Sequence, residues 1–478
     1  MSLPSQTMPD SAPSSASEPR SAPAPSTTSP APDGLPLPRR YVAVAALLSG
    51  LALVVIDGAI ANVALPSLAQ QLHGTAAHTV WVVTGYQLAV VMCLLPASAL
   101  GERLGHRRVF NAGLAAFVAG SAWCMGASSL DALIAARFLQ GIGGAAVMPL
   151  SLALMRFTYP SRLVGTAIAG NALAIALCSA VGPMLGSSLL AFGTWRWLFA
   201  VNLPIGAFAL LACRGLPDPP GVPRRIDPFS VALNALVFAG FVLGADRVLT
   251  DARIGICWLL TAGVALIALV RRERTRPTPL VPLDLLQSRS LRMSAIASVG
   301  CFAAQTAGFV ALPFYLQHSL GLNMLDTGLL MTPWPLAVAV AAPLAGRWSD
   351  RFPTAWLCTA GALALATGLG LCGAWTPHGT IVWPVVFTTL SGLGFGFFQT
   401  PNNRNLLLSA PRQRSGAAGG MQATARLTGQ TLGSLVVGML FTVLPGSQTP
   451  RLVLGLAALF AAGAAWASWQ RRVPPAGS

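Results

Sequence analysis

Residues 54–66 read VVIDGAIANVALP, which sets the carboxylate of Asp57 inside an otherwise apolar run. An ionisable group in such a place is costly and usually marks a proton relay, an ion site or the counter-charge of another buried group. It is the only acidic residue that falls deep within a predicted span; Asp131 and Asp326 begin spans and Asp246 ends one. Two arginines are similarly placed. Arg137, in LIAARFLQGIGGAAV, lies about six residues, or roughly 9 Å, into a span that enters from the side opposite to the one carrying Asp57. Asp57 itself lies about 16 residues, or roughly 24 Å, into its span, so the two depths are comparable. Burial and a neighbouring guanidinium act in opposite senses on a carboxyl, and a balance between them is something a proton gradient can drive. The alternatives are that Asp57 belongs to a structural pair or caps broken backbone near Gly58, and that Arg137 holds backbone carbonyls. Arg426, in GGMQATARLTGQTLG, is about a dozen residues into its span, near the midplane. It either balances charge or bonds to neighbouring helices.

These residues need a membrane to be placed in. The chain has 478 residues, 54% of them hydrophobic and 9% charged, with a mean hydropathy of +0.65, whereas soluble domains carry about 25% charged residues. The formal net charge of +16 comes from 30 arginines and no lysine. Without lysine neither a P-loop on phosphates nor a pyridoxal Schiff base can form. Cys93, Cys124, Cys178, Cys213, Cys257, Cys301, Cys358 and Cys372 fall in or beside apolar stretches without CxxC spacing, and the five histidines lie at or near loops, so neither a metal nor another cofactor is expected. A membrane-embedded transferase would want paired buried carboxylates for a metal and phosphates, and Asp57 stands alone.

Residues 1–40 contain ten prolines and nine serines and read as a disordered tail. Fourteen apolar segments follow, at about 41–64, 80–100, 109–127, 132–155, 162–190, 195–213, 229–246, 254–270, 292–316, 327–346, 354–375, 381–402, 415–443 and 450–470, each close to the length that crosses about 30 Å of hydrocarbon. The seventh is the weakest, being short and interrupted by Asn234. With the N-terminus inside, 24 arginines fall on the cytoplasmic side and Arg196, Arg247, Arg253 and Arg451 on the outer side, the asymmetry that sets membrane topology. The expectation is an all-α integral membrane protein with both termini cytoplasmic, its basic charge a topology signal that leaves no role for nucleic acid. ALGERLGHRR after the second segment and PLAGRWSDRF after the tenth echo each other. Two six-helix bundles, 41–215 and 291–470, are expected on either side of a linker, 216–290, that holds two extra helices, with a cytoplasmic tail at 471–478.

Several of these motifs resemble the fourteen-helix drug:proton antiporter branch of the major facilitator superfamily. VIDGAIANVALP is similar to its first-helix signature through Asp57, Asn62, Leu65 and Pro66, with Ala59 where threonine is usual. SALGERLGHRR resembles the superfamily loop, with Glu102 for the usual Asp, followed by Arg103, Gly105 and Arg107. The fourth-helix pattern is met by Arg137, Gln140, Gly141 and Gly143. The antiporter pattern on the fifth helix is met by Gly182, Pro183 and Gly186, with Ser187 replacing its last glycine. TWRWLFAVNLPIG resembles the start of helix six, with Trp195, Arg196, Trp197, Asn202, Pro204 and Gly206.

The resemblance implies that the first and fourth helices share a bundle, so that Asp57 and Arg137 face one cavity and couple protons to transport. It implies a monomeric proton antiporter of the bacterial inner membrane that exports hydrophobic, cationic small molecules by alternating access. A dedicated exporter of one metabolite is a same-fold alternative. Tyr86, Gln87, Gln305, Phe309, Trp334, Phe398 and Gln399 are candidate substrate contacts, offering stacking and a few hydrogen bonds. Glu102, Arg103, Gly105 and Arg107, with Asp350 and Arg351 in the second half, form the expected cytoplasmic gating loops. Gly182, Pro183 and Gly186 are expected in helix packing, where absent side chains let helices touch.

Overall fold

The computed structural model describes residues 34–160, 163–219, 227–274, 276, 287–349, 351–375, 382–408, 415–444 and 446–472, and among them no strand occurs. The helices are α1 (Leu37–Gln71), α2 (Ala76–Leu104), α3 (His106–Gly126), α4 (Leu130–Thr158), α5 (Val164–Phe192), α6 (Trp197–Ala200), α7 (Asn202–Ala212), α8 (Pro228–Arg247) and α9 (Ala252–Arg274). They continue with α10 (Arg289–Phe314), α11 (Met324–Met331), α12 (Pro333–Trp348), α13 (Thr354–Ala374), α14 (Val382–Leu408), α15 (Ser415–Val443) and α16 (Thr449–Trp469). Among the described residues, twelve helical stretches are long and apolar enough to cross a membrane, with α6–α7 and α11–α12 each counting as one. The helices α5 and α15 are each 29 residues long.

Polar residues at the ends of the apolar runs start the helices. Thr75 accepts the His78 amide, Ser129 that of Ala132 and Asn323 that of Asp326, each satisfying a backbone donor the first turn leaves free. The tail expected through residue 40 ends sooner, because α1 already includes residues 37–40. Its Arg39 donates from Nε and Nη2 to the carbonyls of Gly215 and Leu216 at 3.2 and 3.3 Å. Residues 1–33 and 473–478 of the two expected tails lie outside the described residues. The weak seventh segment is a full 20-residue helix, α8. Its interrupting amide is satisfied, Asn234 Nδ2 donating to the Met92 carbonyl of α2 at 3.0 Å.

One pattern of helix pairs occurs twice. In the first half α3 packs on α4, α2 on α4, and α1 on α5 and α7; in the second half α13 packs on α14, α12 on α14, and α10 on α15 and α16. Across the halves α2 meets α15, α5 meets α11 and α12, and α1 meets α10. The α8–α9 hairpin stands beside α2 and α15, anchored by Asn234 and by Trp81 Nε1, which donates to Asp246 at 3.1 Å. Leu260, Val264 and Ile267 of α9 are exposed, as a lipid-facing helix requires.

Small residues set the closest approaches. A Cβ at Gly141 would strike the Tyr86 carbonyl, and one at Gly143 would lie 2.5 Å from the Gly113 carbonyl and the Phe117 nitrogen. Gly182 abuts Ala59 of α1, and Gly186 packs over Ile60. The contacts between halves include Gly328 of α11 against Pro183 and Ser187 of α5, and Gly438 of α15 near Val80 of α2. These lie toward the face remote from the start of α1. Ser187, which replaces a glycine of the resembled pattern, has its matching gap in Gly328 on the opposing helix.

The α8–α9 hairpin is pinned at its other end by charge. Asp227 caps α8 and accepts from Arg272 Nε at 2.6 Å, Arg276 Nη2 at 2.9 Å and the Ser230 amide at 3.1 Å. The Arg272 guanidinium holds its carboxyl well below the usual carboxylate range. The cap's contribution to stability is therefore complete above the unfolded value near 3.8 and declines as pH falls below it.

Two outcomes follow from this packing. Gly141→Val destabilises the protein by about 1–3 kcal/mol through overpacking, while Gly170→Ala, where a Cβ meets nothing within 4 Å, leaves thermal unfolding in detergent unchanged. Protection factors of the first α8 amides fall between pH 7 and pH 3 in the wild type and are already reduced at pH 7 in Asp227→Asn.

Candidate functional site

Asp57 lies midway along α1 and is 1% exposed, as is Arg137. Arg137 Nη1 donates to Asp57 Oδ2 at 2.5 Å. The other carboxylate oxygen, Oδ1, accepts from Gln140 Nε2 at 2.9 Å and from Asn202 Nδ2 at 2.7 Å. Three internal donors from α4 and α7 thus hold one buried carboxylate, the condition under which a buried charge is tolerable.

The order of donors leaves little freedom. Arg137 and Gln140, three residues apart, share a face of α4. Because guanidinium can only donate, the amide oxygen of Gln140 must turn toward it, and Nη1 donates to that Oε1 at 2.6 Å. The Gln140 amide nitrogen is then free for Asp57 and for Ser121 Oγ at 2.8 Å. Ser121 also receives Asn202 Nδ2 at 3.3 Å and donates to the Phe117 carbonyl at 3.0 Å. Gly120 makes this possible, since a Cβ there would lie 2.8 Å from the Gln140 nitrogen and push α3 away from α4. Asn202 is delivered by the break at Val201 between α6 and α7.

The rest of the guanidinium meets backbone and aromatic surface. Arg137 Nε donates to the Val82 carbonyl of α2 at 3.2 Å. Its Cζ lies 4.3 Å from the centroid of the Tyr86 ring and 5.8 Å from that of Phe199. Asp57 therefore ties together α1, α4 and α7 directly, and α2 and α3 through Arg137 and Gln140. Net charge is zero while Asp57 is ionised. A proton on Asp57 would leave Arg137 with neutral partners only and one uncompensated positive charge.

Of the other sequence-predicted residues, Tyr86 is in this cluster. Gln87 accepts from Ser434 Oγ of α15 at 2.9 Å, across the halves. Phe309 and Trp334 form an edge-to-face pair with centroids 5.0 Å apart. Gln305 and Gln399 are partly exposed on α10 and α14. Phe398, expected at the cavity, is fully buried, and its backbone abuts α13, where Gly361 leaves room for it and Cys358 Sγ donates to its carbonyl. Pro183 is buried between Gly182 and Gly186 on α5.

Arg426, expected to bond to neighbouring helices or to balance charge, has its Nε buried without a partner, and its Cζ stands 5.6 Å from the Phe302 ring of α10. At the gating loop, Gly105 joins α2 to α3 with φ +99°, a left-handed conformation that favours glycine. Asp218 Oδ1 approaches it, Arg103 is exposed, and Glu102 and Arg107 are partly so. Arg351 is exposed after α12, and Asp350 lies outside the described residues.

Gln140, Asn202 and Ser121 take part in most of the hydrogen bonds of the site without having been given a role from sequence. Their signal was amides and a hydroxyl inside apolar runs, at RFLQG, FAVNLPIG and VAGSAWC.

Removing Arg137 alone strands the carboxylate. Arg137→Met is expected to cost about 3–5 kcal/mol, and adding Asp57→Leu to recover most of it. Thermal unfolding of the two single variants and the double variant in one detergent checks this.

Known proteins place the chain. Its sequence matches the profile of the Major Facilitator Superfamily over residues 47–434 and 293–478. It is 42% identical over 456 residues, 93% of this chain and 98% of the relative, to the uncharacterized transporter YebQ of Escherichia coli (strain K12). It is 32% identical over 400 residues, 81% of this chain and 73% of the relative, to multidrug resistance protein Stp of Mycobacterium tuberculosis (strain CDC 1551 / Oshkosh). A solved POT family transporter in complex with a thioalcohol-conjugated peptide shares the fold, with a TM-score of 0.68 at 13% identity over 88% of this chain and 94% of that one. This chain, a multi-pass membrane transporter and not an enzyme, belongs to the Major Facilitator Superfamily.

Proposed function

We propose that the protein is a proton-coupled exporter of hydrophobic small molecules, with Asp57 as the proton site and Arg137 as its internal counter-charge. The observation that carries this reading is the carboxylate buried at mid-helix on Arg137, Gln140 and Asn202. A proton that neutralises Asp57 removes the ion pair joining α1 to α4 and leaves a cation to be accommodated, so two protonation states favour two packings. That is the bistable element alternating access needs.

The reading takes fourteen spans, with α5 and α15 completing the twelve, both termini cytoplasmic, and a bacterial inner membrane as the location. Residues 41–215 and 291–470 act as the rocking units around a central cavity, with α8–α9 as an insertion in 216–290, and the protein works as a monomer. The contacts of Gly328 with Pro183 and of Gly438 near Val80 then close the outer side, which supports an inward-facing state. Glu102, Arg103 and Arg107, with Asp350 and Arg351, serve the cytoplasmic closure.

The geometry argues against a cationic substrate binding at Asp57 itself. Three donors already hold that carboxylate, and one of them is a cation of the protein's own. Stp, a relative named for multidrug resistance, supports export of drug-like molecules.

The test uses inside-out vesicles with an imposed proton gradient and a panel of lipophilic compounds. Wild-type vesicles lose the gradient on addition of a transported compound, and Asp57→Asn vesicles do not. Equal collapse in both would remove Asp57 from coupling.

A further inference from the structure

Arg426 is a charge at the interior of the second half that the proton site does not use. It sits on α15, which packs against α10 in its own half and against α2 in the other. Its Nε is buried without a hydrogen-bond partner, and its Cζ is 5.6 Å from the Phe302 ring. On α10, Ser298 lies one turn from Phe302 on the same face, and its hydroxyl is also buried without a partner. Arg426 as a whole is partly exposed, whereas Ser298 is fully buried.

No internal acid is paired with it among the described residues. After Asp350 the sequence contains no Asp or Glu at all, and the only other acid of the second half, Asp326, stands in the first turn of α11 at the remote face. Asp57 is committed to Arg137. Tyr86, whose ring covers Arg137, is the titratable group within electrostatic reach of both arginines. A partly desolvated guanidinium without a carboxylate is costly, and a cation–π contact returns only about 0.5–2 kcal/mol. A purely structural arginine would spend its donors on carbonyls, as Arg137 does on Val82 and Arg39 on Gly215.

We infer that Arg426, backed by Phe302 at the seam of α2, α10 and α15, binds the acidic group of an aromatic substrate, a carboxylate or a sulfonate. The inference rests on the transporter reading and names its substrate class. The substrate's charge compensates a guanidinium the fold leaves bare, and its ring replaces water against Phe302. Substrate and proton then use different groups, so exchange is enforced by the conformational cycle and not by rivalry for one carboxylate.

The test measures binding by calorimetry to the purified full-length protein in detergent, with 2-naphthoate and its neutral counterpart 2-naphthalenemethanol as probes. The wild type is expected to bind the acid about tenfold or more tightly than the alcohol, as a charge-assisted contact provides. Arg426→Gln loses that preference, Arg426→Lys keeps most of it, and Asp57→Asn retains it. Arg426→Gln also melts at or above the wild-type temperature, because an uncompensated charge has been removed; a structural arginine predicts the reverse. The inference is overturned if the wild type shows no preference for the acid, or if the preference survives in Arg426→Gln. Should that variant fail to fold, loss of the preference in Arg426→Lys overturns it as well. Binding in detergent needs no gradient, so failure of proton exchange in vesicles and failure of this site are separate results.

Discussion

A carboxylate in the middle of a lipid-embedded helix must be supplied with donors by the protein, because no solvent will do so. The supply here takes side chains from three helices and a backbone carbonyl from a fourth: Arg137 and Gln140 from α4, Asn202 from α7, Ser121 from α3, with Val82 of α2 steadying the arginine. Each must arrive within hydrogen-bond range at the same depth. The first half is thereby organised around Asp57, whose hydrogen bonds reach directly or through one residue into most of the helices of that half.

Close approach is the geometric counterpart of that electrostatic demand. Glycines at 120, 141 and 143 let α3 and α2 come near enough to α4, and Gly182 and Gly186 bring α5 onto α1 one and two residues beyond Asp57's immediate neighbour. In lipid there is no hydrophobic drive to squeeze helices together, so packing at these points depends on absent side chains. The same device, with Gly328 and Gly438, joins the halves on the face remote from the start of α1. Small residues in this protein serve both the site inside one half and the contact between halves.

The two halves handle charge differently. The first compensates its cation internally, whereas the second keeps Arg426 against Phe302 with no acid paired to it among the described residues. The α8–α9 hairpin is built on surface chemistry, an Asp227–Arg272 cap at one end and a Trp81–Asp246 bond at the other. It touches α2 and α15 from outside without contributing a side chain to the Asp57 cluster.

By itself the sequence determined the apolar spans, their polar ends and the two most consequential buried charges, because span length, capping residues and the cost of a charge in lipid are local properties of the chain. Comparable depths of Asp57 and Arg137 were also legible, since rise per residue converts position into height. What height cannot supply is rotation. Which way Phe398 points, that Gln140 and Asn202 converge on Asp57, and that Arg426 meets a ring and no carboxylate, depend on the angular setting of each helix against its neighbours. Those settings were decided by tertiary packing through gaps such as Gly120 and Gly361, and by breaks at Val201 and Thr332 that redirect the chain within a span.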